Sequence, residues 1–158
     1  MRTTLLIMVL AVTLPGCGGS IKEYPTANVT GKVTCNGEPV ANVRVYFAPI
    51  AKSGGVNAGK SGSGSTKEDG TFTISTYGTE DGAVVGSHNV MVDSPHPEHF
   101  PNFTCKCRTD GNKPVKQVEV TADGENHFEI SMTLKTKAEA ARPSLDADDL
   151  DDLKKDDE

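Results

Sequence analysis

Residues 66–92, TKEDGTFTISTYGTEDGAVVGSHNVMV, decide the fold of this chain. Glu68-Asp69-Gly70 reads as a turn. A strand follows, with Phe72 and Ile74 on one face and Thr71, Thr73 and Ser75 on the other. Asp81-Gly82 makes a second turn, and after Gly86 a further strand sets His88, Val90 and Val92 on a single face. Period-two alternation between Asp-Gly turns is the signature of antiparallel strands with one buried side.

The same pattern continues in both directions. Upstream, Val29, Gly31, Val33 and Cys35 alternate, Asn36-Gly37 gives a tight-turn signal, and Val43, Val45 and Phe47 point inward from residues 43–50. A Gly/Ser-rich loop over residues 51–65 separates this from the opening stretch. Downstream, residues 94–114 carry no strand pattern, and Val118 and Val120 resume it. After the Asp123-Gly124 turn, Phe128, Ile130, Met132 and Leu134 alternate again. About seven short strands without a helical stretch in the body predict an all-β fold, a single antiparallel β-sandwich over residues 28–136.

VTGKVTCNGEPVANVRVYFAPI, STKEDGTFTIST and DGAVVGSHNVMV together resemble the carboxypeptidase regulatory-like domain, a transthyretin-type β-sandwich. The matching features are Gly31-Lys32-Val33, the Asn-Gly…Pro-Val turn, Asp69-Gly70-Thr71-Phe72, Asp81-Gly82-Ala83 and Gly86…Val90-Met91-Val92. His88 stands where that group commonly has Tyr. In enzymes that carry this module it accompanies a catalytic domain and does no chemistry itself. The resemblance therefore implies structural or binding work and names no ligand.

The ends add a location. Arg2 and the apolar run through Leu5, Leu6, Ile7, Met8, Val9 and Leu10 have the layout of an export signal over residues 1–16, too short to span a bilayer comfortably. Leu14-Pro15-Gly16-Cys17 resembles the bacterial lipobox. That resemblance implies lipidation of Cys17, attachment to the membrane through an acyl anchor, and, with Gly18 next, delivery to the outer membrane. Residues 17–27 then serve as a tether. At the other end lies an acidic tail, residues 137–158; from residue 138 onward it holds nine acids against three bases, a balance of −6 that equals the net charge of the whole chain. This acidic tail is expected to be disordered. With no basic patch and a negative net charge, no nucleic-acid partner is expected.

Candidate sites are few. Gly54 to Ser61 fits the P-loop expression, but Ser-Gly-Ser-Gly follows where a helix must start, so no nucleotide is expected. The 94–113 loop gathers His96, His99, Cys105 and Cys107, ligand types suited to a soft or borderline metal. A disulfide competes for the same thiols in an exported chain: Cys35 to the loop, or Cys105 to Cys107, ranks ahead of metal. His88 reads as a hydrogen-bonded structural residue, and the Asp-Gly pairs as turn formers rather than calcium ligands. Tyr24, Tyr46, Tyr77, Phe100 and Phe103 are the rings left for a cell-wall glycan. No nucleophile elbow, zinc-protease helix or supported Ser-His-Asp set occurs, and no cofactor is implied. The expectation is a lipid-anchored, non-enzymatic envelope module that works structurally or through a protein partner. Envelope metal binding and carbohydrate binding are the alternatives.

Overall fold

The computed structural model describes residues 23–51 and 58–141. The signal-like segment, Cys17 and most of the acidic tail lie outside the described residues, as does the first half of the P-loop-like stretch. The chain is all-β. Its strands are β1 (Thr26–Ala27), β2 (Val29–Cys35), β3 (Glu38–Pro39), β4 (Arg44–Pro49), β5 (Gly62–Ser65), β6 (Thr71–Thr73), β7 (Ala83–Val84), β8 (Gly86–Asp93), β9 (Lys116–Val120) and β10 (Asn126–Met132), followed by one helical turn, α1 (Lys137–Ala140).

One sheet is centred on β2, with β10 along one edge and β6 and β3 sharing the other. The second runs β5-β4-β8-β9, and β1 with β7 forms a separate two-stranded ladder. The alternation seen in the sequence becomes the core. Val29, Val33 and Ile130 from the first sheet, and Val45, Phe47, Val90, Val92 and Val120 from the second, are essentially inaccessible to solvent and belong to one cluster. The β2–β3 turn is the tight hairpin expected of Asn36-Gly37: both residues have positive φ (53° and 85°), and Cys35 pairs with Glu38.

Three expectations are corrected. The strands are not all antiparallel, because β10 runs parallel to β2 through seven residue pairs, Asn126 opposite Val29 to Met132 opposite Cys35. The chain crosses from β9 in one sheet to β10 in the other, and buried Asn126 fixes the crossing. Its amide Nδ2 donates to Asn28 O (3.2 Å) and Thr121 O (2.9 Å), while its Oδ1 accepts from Thr121 N (2.9 Å). The stretch over residues 51–65 is not all loop: β5 pairs with β4, and Ser63 bridges Ser75 next to β6. This contact between the two sheets needs glycine, since a Cβ on Gly64 would lie 2.1 Å from Thr73 O. Leu134 is not inward. β10 ends at Met132, and Leu134 is 48% exposed.

Ordered structure reaches into both end segments. Tyr24 N donates to Tyr77 Oη (3.1 Å), and Thr136 caps α1 with a capping box completed by Glu139. No helix among the described residues is long and apolar enough to cross a membrane.

Candidate functional site

The most elaborated surface is one end of the molecule, where the loop between β8 and β9 meets the segment that leaves β10. Two adjoining clefts of about 620 and 940 Å³ share Thr109, Lys135 and Glu139 in their walls. The chain that carries Cys105 and Cys107 runs along the exit from β10 as a short extended strap. Lys135 N donates to Lys106 O (2.9 Å), Arg108 N donates to Thr133 O (2.8 Å), and Cys107 bridges Leu134. Burial alternates along it as in any strand: Cys105 is half-buried, Lys106 exposed, Cys107 buried and Arg108 exposed.

Cys107 is joined to Cys35 at the end of β2, with a Cα–Cα distance of 5.8 Å, and Cys105 is a free thiol. The four residues of the His/Cys set are therefore not assembled. His96 and His99 sit together in an exposed turn, ring centroids 5.9 Å apart, with His96 Nδ1 3.7 Å from Glu98 Oε2. The sulfur of Cys107 is already bonded. Among the described residues no three His, Cys, Asp or Glu side chains converge as metal ligands.

Charges around the clefts are partly spent on each other. Arg108 Nε donates to Glu139 Oε2 (3.0 Å), and Lys113 Nζ lies 3.5 Å from Asp110 Oδ2. The Glu139 carboxylate also accepts from Thr136 N (2.7 Å) and Thr136 Oγ1 (2.8 Å). The backbone and hydroxyl of Thr136, with Arg108 assisting, bring its pKa down to about 2. Lys106 and Lys135 make no ion pair within the described residues. With Phe103 and Leu134 beside them, they leave a cleft wall that is cationic and apolar together.

The aromatic residues considered for a glycan do not form one platform. Tyr46 lies on β4 under the Arg44 guanidinium, 5.1 Å from the ring centroid. Tyr77 is bonded to the Tyr24 backbone and lies 5.9 Å from Lys60 Nζ. Phe103 packs against the edge of the core, and Phe100 is exposed in the loop. The P-loop reading meets β5 where it needs a helix: the chain after Ser61 is extended.

Two polar arrangements depend on the fold. The first is a chain on the outer side of the β2–β10 pair. Thr30 Oγ1 lies 3.0 Å from His127 Nδ1, and His127 Nε2 lies 3.3 Å from Glu129 Oε1. Parallel register puts Thr30 opposite His127, a relation that alternation alone does not encode. It orients an imidazole on an open, solvent-facing surface, where a substrate has no wall to lean on.

The second is His88, fully buried against Phe47 at 5.9 Å between centroids. Its Nδ1 lies 2.9 Å from Gly86 O, an atom that only accepts, so Nδ1 carries the proton and Nε2 is an acceptor. Nε2 is buried and has no hydrogen-bond partner among the described residues. Burial lowers the His88 pKa, against the opposing pull of Gly86 O and Glu119. Below about pH 6.5 the unfolded chain takes up a proton that the folded chain resists. Stability therefore falls as pH drops through that value towards the lowered folded pKa. His88→Phe is expected to remove this component. Thermal melts of the two proteins between pH 5 and 7.5 check it, and parallel curves exclude His88 as the source.

Asp81 organises the turn before β7. Its carboxylate accepts from the backbone N–H of Thr76 (2.7 Å), Tyr77 (2.9 Å) and Gly78 (3.0 Å). Partial burial acts to raise its pKa, but those three donors outweigh it and the net shift is downward. Its stabilising effect is present above the ordinary carboxylate range and is lost as pH falls below about 4 towards the lowered value. Asp81→Ala is expected to cost about 2 kcal/mol at neutral pH, a value typical of hydrogen bonds to a charged group. Urea melts at pH 7 and pH 3 test it, and the gap between the two proteins should narrow at the lower pH.

Comparison of the chain with protein-family models, curated proteins and solved structures gives no significant match.

Proposed function

We propose that this protein is a lipid-anchored, non-enzymatic module of the bacterial cell envelope. On this reading it is built on a transthyretin-type β-sandwich and works by holding a protein partner. The observation that carries the reading is the end of the molecule around the strap. Arg108 pairs with Glu139 and Lys113 with Asp110 instead of converging on a reacting atom, while Phe103, Leu134, Lys106 and Lys135 line an open cleft. A cleft walled by apolar side chains and by cations that make no ion pair among the described residues suits an amphipathic acidic segment of another protein. The resemblance of residues 14–17 to a lipobox supplies the anchor, and the resemblance of residues 29–134 to the regulatory-like module supplies the sandwich.

Two measurements test it. Cys17→Ala is expected to move the protein from the membrane fraction to the soluble periplasm and to abolish incorporation of labelled palmitate; unchanged fractionation and labelling overturn the anchor. A photo-crosslinking residue at Leu134 is expected to capture one defined envelope protein that the same residue at Ser87, on β8, does not. Equal capture at both positions, or none, overturns the binding role of the cleft.

A further inference from the structure

Around the disulfide, the sequence of the strap repeats itself. Cys105-Lys106 is followed by Cys107-Arg108, so a cysteine and a cation recur with a period of two. Two residues is also the facing period of an extended chain. A slip by one residue would turn every side chain to the opposite face, whereas a slip by two restores each face. We propose that the strap is a thiol–disulfide register switch, in which Cys105 takes the place of Cys107 opposite Cys35.

The local structure permits this. The backbone of the strap meets the chain leaving β10 at one bridge, Cys107 with Leu134, made by two hydrogen bonds, Lys106 with Lys135 and Arg108 with Thr133. Cys105 is partly buried against the core cluster that contains Cys35 and Cys107. After a shift of about 7 Å along the strand direction, Cys105 faces Leu134 and Cys35. Lys106 then occupies the place of Arg108 beside Glu139, so the ion pair there is replaced by one of the same sign. Thr104 takes the exposed place of Lys106.

The chemistry needs no oxidant. The Cys105 thiolate attacks Cys35 Sγ, a Cys35–Cys105 bond forms, and the Cys35–Cys107 bond breaks. The electron pair leaves on Cys107 Sγ, which takes up the proton that Cys105 released. Among Cys35, Cys105 and Cys107, one disulfide and one thiol are present before and after. What changes is the cleft, because Phe103, Cys105 and Lys106 line it and move with the strap.

The test uses the full chain purified in oxidised form. The protein is held at pH 8, quenched in acid with N-ethylmaleimide at intervals, and digested with trypsin without reduction. Cleavage after Lys106 separates Cys105 from Cys107, so each pairing gives a different linked peptide. Two linked pairs are expected, Cys35–Cys107 and Cys35–Cys105, the second at roughly 1–10% of the first, as befits a minor conformer. Because the thiolate is the nucleophile, the mixture should form more slowly at pH 7 than at pH 8. Detection of Cys35–Cys107 alone at every time and pH overturns the switch. So does a Cys105–Cys107 pair with labelled Cys35, which is exchange without the slip. In a second arm, Cys107→Ser is expected to form Cys35–Cys105; recovery of both thiols reduced in the folded variant overturns the proposal.

Discussion

The double substitution Cys35→Ala with Cys107→Ala is expected to lower the unfolding free energy by about 4 kcal/mol. The two cysteines are 72 residues apart in sequence, so their bond closes a loop comprising β3 to β8 and half of the following segment. Removing it returns to the unfolded chain the freedom of that whole loop, and the chain-entropy relation gives the stated size. Local geometry acts in the same direction. Cys107 is buried where the strap crosses the end of β2, and besides this bond the strap is tied to the chain leaving β10 by two backbone hydrogen bonds and the Arg108–Glu139 ion pair. Urea unfolding at pH 7 checks the prediction: the midpoint should fall and the slope rise, because an uncrosslinked chain exposes more surface. Coincident curves would mean that the bond contributes nothing. A double variant is required, since Cys107→Ala alone leaves Cys105 free to pair with Cys35.

What the sequence discloses about this molecule follows from what a side-chain pattern is able to encode. Alternation reports which face a residue occupies, so Val29, Val33, Val45, Phe47, Phe72, Val90 and Val92 were legible as core from their spacing alone. It does not report strand direction, which is why the parallel pairing of β2 with β10, and with it the approach of Thr30 to His127, could not be read. Glycine hides strands in a different way. Gly62 and Gly64 carry no side chain to show a period, and they form part of β5 because nothing larger fits against Thr73 and Ile74. At Leu134 the period continued beyond the strand that it described. The cysteines were legible as competitors for one another. Selecting Cys107 over Cys105 needed the strap's hydrogen bonds to β10's exit, a relation across 25 or more residues that no local spacing contains.

Phe47→Ala is expected to cost about 4 kcal/mol and to lower the melting temperature by on the order of 15 °C. Phe47 stands on β4, in the second sheet, and its ring centroid lies 6.2 Å from that of Phe72 on β6 and 5.8 Å from that of Phe128 on β10. Those partners belong to the first sheet, so this ring is one contact through which the two sheets are wedged together. Truncation removes a fully buried aromatic side chain and leaves a cavity that neighbours from two stiff sheets cannot easily collapse to fill. Phe72→Ala should cost a similar amount. The double variant should cost clearly less than the sum, because both truncations open the same space. A loss below 1 kcal/mol for Phe47→Ala would mean that the sheets do not close on this ring. The effect also reaches His88, whose imidazole lies 5.9 Å from the same ring. Water admitted to the cavity gains access to the unpartnered Nε2 and relieves the burial that holds the His88 pKa down. The fall in stability below pH 6.5 should therefore be shallower in Phe47→Ala than in the parent protein, tying the packing of the core to its response to acid.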